Sequence, residues 1–79
     1  MNTQAHTFRD TLAAQYRELF TTAEYAMAAS RMTPEALATR MTDGLKAGTA
    51  NKDGDGIKRT CKILGIKPTY AAIKQYLNG

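Results

Sequence analysis

Apolar residues three and four positions apart run through most of the chain. That spacing leaves the helix as the one repeating structure that gathers them on a single side. Phe8, Leu12, Tyr16, Leu19, Phe20, Ala23 and Met27 make the first stripe. Leu37, Met41 and Leu45 make the second, and Ile57, Thr60, Cys61 and Leu64 the third. Strands have little to build with: there is no valine, there are four isoleucines, and no alternating pattern runs beyond a few residues. The expected fold is all-α, a small bundle of four or five helices. A chain of 79 residues makes one domain. Such a domain hides only about 60% of its unfolded surface, so its stability margin is thin.

Punctuation divides the chain into a frayed start over 1–6, a helical platform over 7–48, a loop over 49–55 and a basic hairpin over 56–78. Thr21 and Glu24 fit the T-x-x-E capping box. Either that box starts a short second helix ending near Ser30, or residues 7–30 form one helix and the match is chance. Thr33 followed by Pro34 is a cleaner start, because proline has no N–H to lose at the first helical position. Gly48 supplies a left-handed stop. Asp55 is expected to cap a helix from Gly56 to Leu64, Gly65 to end it, and Pro68 to open a last helix running to about Leu77.

Charge is spread unevenly. Up to Leu45 four basic residues face five acidic ones, a net of −1; from Lys46 onward seven face two, a net of +5. After Gly56 there are Lys58, Arg59, Lys62, Lys67 and Lys74 and no acidic residue. Unbalanced positive charge repels itself until a polyanion neutralises it, and nucleic acid phosphate is the commonest such partner. On a helical wheel of about 100° per residue, Thr60, Cys61 and Leu64 fall within about 60° of Ile57. Lys58, Lys62 and Arg59 fall at about 100°, 140° and 200°, so one face is apolar and the other basic. In the last helix Tyr70, Ile73 and Leu77 share the side expected to be buried.

The run Cys61-Lys62-Ile63-Leu64-Gly65-Ile66-Lys67-Pro68-Thr69-Tyr70 resembles the helix-turn-helix family. Cys61 is the small residue four before the turn glycine, and Leu64 and Ile66 are the apolar residues on either side of it. The small residue lets two helices approach, and the glycine takes a positive φ. The resemblance implies double-stranded DNA as partner, with the last helix in a major groove. Ala71 and Ala72 would allow close approach, Gln75 would pair with adenine, and Thr69 or Tyr76 would touch bases or phosphate. Lys58, Arg59, Lys62, Lys67 and Lys74 would contact phosphate. The match departs from the family in one respect. The positions six and nine after the glycine, apolar in the family, are Ala71 and Lys74 here, which implies a turn one residue shorter.

Other chemistry is thinly represented. Asn51, Asp53, Asp55 and Gly56 imitate the start of a calcium loop, but its twelfth position is Lys62 rather than glutamate. His6 has no companion at a metal-ligand spacing, and Cys61 lies on an apolar face where an inert thiol is expected. The chain therefore reads as no enzyme, with no cofactor and no metal. It shows no signal peptide pattern and no run near the roughly 20 apolar residues that span a bilayer. A lone cysteine fits a reducing cytoplasm. The leading reading is a small DNA-binding protein, a transcriptional regulator, dimeric through the 8–27 stripe. The alternative is a small phage or mobile-element protein that binds a larger protein or nucleoprotein complex, anchored by Tyr16, Arg17 and Tyr25.

Overall fold

The computed structural model describes residues 3–79. Five α-helices make up the bundle: α1 Thr3–Leu19, α2 Ala26–Arg31, α3 Pro34–Ala47, α4 Asp55–Leu64 and α5 Tyr70–Asn78. A single 3₁₀ turn, Ala23–Tyr25, precedes α2, and no strand occurs among the described residues. Helix α1 is the hub. It packs against α3, α4 and α5, and α3 also packs against α5. The core is drawn from all four, with Phe8, Leu12, Leu45, Ile57, Ile73 and Leu77 fully buried.

The first helix starts four residues ahead of the expected position, so Thr3 to His6 are helical rather than frayed. Met1 and Asn2, the rest of that frayed start, lie outside the described residues. Residues 7–30 resolve into two helices, and no capping box forms at Thr21. Its hydroxyl instead donates back to the Glu18 carbonyl at 2.7 Å, and that of Thr22 donates to Leu19 at 2.6 Å, closing the end of α1. The start of α3 is as the sequence predicts. Thr33 Oγ1 accepts the Ala36 N–H at 3.1 Å, Pro34 opens the helix, and Gly48 ends it at φ 81°.

Most of the 8–27 stripe, expected as a dimer face, is used within the chain. Phe8, Leu12, Tyr16 and Leu19 are all buried by the chain's own α3, α4 and α5. Of its larger members only Met27 is well exposed, at 70%.

Helix α4 begins at Asp55, not Gly56, and its N-cap is Gly54. Asp55 is the first residue of the helix and does not cap it, and the Tyr25 hydroxyl lies near this end, 3.9 Å from where a β-carbon on Gly54 would stand. Gly65, at φ 70°, ends the helix in the left-handed conformation, and the Ile66 N–H reaches the Cys61 carbonyl at 2.8 Å. The connection to α5 runs over 65–69, longer than the three or four residues of a helix-turn-helix turn. It is not shorter, as the register had implied. Pro68 does not open α5. It centres a three-residue turn in which the Thr69 N–H donates to the Lys67 carbonyl at 2.8 Å. Thr69 is then the N-cap, accepting the Ala72 N–H at 3.2 Å.

Candidate nucleic-acid interface

The apolar and basic faces of α4 are separated as expected. Ile57, Thr60 and Cys61 are buried, Leu64 is half-buried, and Lys58, Arg59 and Lys62 are exposed. Burial pushes the Cys61 thiol up, away from the reactive thiolate. The same wheel places Ile63 at about 240°, among the cations. It is 59% exposed there, an apolar group on the basic face that the stripe pattern alone did not single out.

Helix α5 is turned from the orientation its spacing implied. Ile73 and Leu77 are buried, but Tyr70 is exposed. Its hydroxyl accepts the Lys52 backbone N–H at 3.3 Å, and the Lys52 ammonium sits 5.6 Å from its ring centre. Tyr70 therefore fastens the 51–54 loop to the start of α5 instead of filling the core. Tyr76, on the opposite flank, is half-buried with its ring 6.4 Å from that of Phe8. Ile73 and Leu77 lie eight and twelve residues after Gly65, later than the family's six and nine, which agrees with the longer connection. Helix α4 packs mainly on α1, and α5 on α3 and α1, whereas the resemblance implies close packing of the two on each other.

Two grooves meet at the 65–69 connection. One, of about 360 Å³, lies along α4 and is lined by Lys58, Cys61, Lys62, Ile66 and Pro68. The other, of about 450 Å³, lies between the start of α1 and α5. Half-buried Ile66, Ala72 and Tyr76 form its floor, and exposed Gln4, Lys67, Gln75 and Gly79 its rim. Ile66 belongs to both grooves, so Lys58 and Lys62 stand on one side of the turn and Lys67 with Gln75 on the other. Gln4 lay in the stretch read as frayed, and nothing local in the sequence marked it.

Three of the sequence-derived residues stand apart. Arg59 has a carboxylate partner after all, Glu18 of α1, at 3.8 Å. Lys74 extends along the other flank of α5, with its Nζ beside Gly48 at the end of α3. Thr69 is engaged as the N-cap. Lys58, Lys62 and Lys67 make no ion pair among the described residues. Lys58 does feel Asp53, whose carboxyl is held below its ordinary value first by Lys52, which donates to it at 2.8 Å, and also by Lys58.

The anchors considered for a protein partner are largely occupied within the fold. Tyr16 is 3% exposed, and its ring centre lies 5.9 Å from that of half-buried Tyr25. Arg17 pairs with Glu35 at 3.6 Å. No helix among the described residues is long and apolar enough to cross a membrane. No protein-family model, curated protein or solved structure matches the chain.

Proposed function

We propose that this chain is a small DNA-binding protein that regulates transcription by occupying its site, with the turn between α4 and α5 against the duplex. The observation that carries this reading is that Lys58, Lys62 and Lys67 line two grooves that share Ile66. All three are exposed, and none has a carboxylate within ion-pair distance among the described residues. Phosphates are the complement of such a cluster, and neutralising them releases counterions. Arg59 and Lys74 contribute less, because Glu18 and the end of α3 already engage them.

Fluorescence anisotropy with a labelled duplex at several salt concentrations tests the reading. Three phosphate contacts give a slope of log K against log salt of about −2.7. Replacing Lys58, Lys62 and Lys67 together by Glu abolishes binding and leaves the circular dichroism spectrum unchanged, because all three side chains are outside the core. Failure of the parent to bind any duplex at low salt overturns the proposal.

A further inference from the structure

The groove between α1 and α5 has a shape that phosphate contact does not account for. Its volume of about 450 Å³ falls within the range of roughly 300–1,000 Å³ in which small molecules are held. The Tyr76 ring on its floor is braced by Phe8, tilted at 52° with the centroids 6.4 Å apart. Gln75, the preceding residue on the same helix, brings to the rim an amide that both donates and accepts. Lys67 brings a cation from the connection. Together these are a stacking surface, an edge-reading amide and a phosphate-binding ammonium.

A paired base cannot use them. In a duplex the base edges lie at the floor of a major groove about 8.5 Å deep, and only a protruding element reaches them. Here Tyr76 is half-buried along an open groove and does not protrude, so the base must come to the protein. A nucleobase freed from pairing has both faces open, and aromatic stacking holds any of the four.

We propose, on the footing of the DNA-binding reading above, that this groove receives one unpaired nucleobase of the bound DNA, stacked on Tyr76, edge-bonded by Gln75 and with its phosphate on Lys67.

The test compares a fully paired duplex, the same duplex with one extra unpaired base, and the same duplex with an abasic residue in place of that base. Binding to each is followed by fluorescence anisotropy. The unpaired base strengthens binding by about tenfold, and the abasic residue, which bends the duplex without offering a base, does not. Gln75→Ala, at an exposed position that leaves the fold intact, loses most of that gain. Tyr76→Leu, which keeps an apolar group against Phe8, loses it too. Equal affinity for the paired and bulged duplexes overturns the inference and leaves the DNA-binding reading standing. So does a gain that survives both substitutions, or one that the abasic duplex shares. Absence of binding to all three at low salt overturns the reading itself and the inference with it.

Discussion

Gly56 lies against the ring of Tyr16 so closely that a β-carbon there would fall 2.5 Å from Cε1. The first turn of α4 rests on α1 at this point. Gly56→Ala would gain about 1 kcal/mol in helix propensity. Against that, the ring is buried beside Phe20 and Tyr25, and overpacking of this kind costs about 1–3 kcal/mol. The variant is expected to melt below the parent in a thermal denaturation followed by circular dichroism. A rise in melting temperature would show that α4 can lift off Tyr16 without loss.

The same aromatic corner makes stability sensitive to alkali. Burial, with Tyr25 as the lesser cause, holds the Tyr16 hydroxyl far above its ordinary value of 10.0. Above that pH the unfolded chain releases the Tyr16 proton while the folded chain keeps it. The folded state then binds more protons, and stability falls as pH rises. The stabilisation is complete below pH 10.0 and is lost progressively above it. Tyr16→Phe removes the proton from both states. Between about pH 9 and about pH 11 its melting temperature should fall less than that of the parent. Parallel declines would place the alkaline sensitivity elsewhere.

The α3 helix was fully legible because its signals are local: a cap, a proline and a left-handed glycine within one segment. The inward face of α4 was legible for the same reason, since its stripe and its charges sit on one helix. Tyr70 was not. It keeps the helical spacing to Ile73 and Leu77, but its place depends on Lys52, eighteen positions earlier, and on a turn lengthened by Pro68. Arg59 looked unpaired because Glu18 lies far from it in sequence. The cations of the candidate site could be named in advance, whereas which of them line the grooves and which are engaged elsewhere depends on how α1 and α3 seat the hairpin.

Leucines at different depths should separate cleanly. Leu12 is fully buried at the centre of α1, whereas Leu64 is half-buried beside the turn. Leu12→Ala should destabilise by about 2–5 kcal/mol, enough to unfold much of so small a domain. Leu64→Ala should cost less, because part of the side chain is already in water. Urea titrations of the two variants measure the difference, and a larger loss at Leu64 would contradict the deeper burial of Leu12.

Thr42 offers a gain. It is 4% exposed on α3, and its hydroxyl has no hydrogen-bond partner among the described residues. A buried hydroxyl left unpaired costs about 1–3 kcal/mol. Thr42→Val keeps the shape and removes the polar atom, so the midpoint of a urea titration should rise. A lower midpoint would mean that the hydroxyl is satisfied in solution.

Thr69 separates stability from binding at one position. Its Oγ1 accepts the Ala72 N–H at 3.2 Å and so caps α5, next to Lys67 on the candidate interface. Thr69→Ala removes the cap and should cost about 1 kcal/mol. Thr69→Asp restores an acceptor of the same reach, and its charge also suits the positive end of the helix. The aspartate variant should therefore melt close to the parent. Its carboxylate would nevertheless stand where the proposed function brings phosphate. Its affinity for duplex should drop while its stability does not, and the drop should shrink as salt screens the repulsion. An aspartate variant that keeps both its stability and its affinity would move the duplex away from the 65–69 connection.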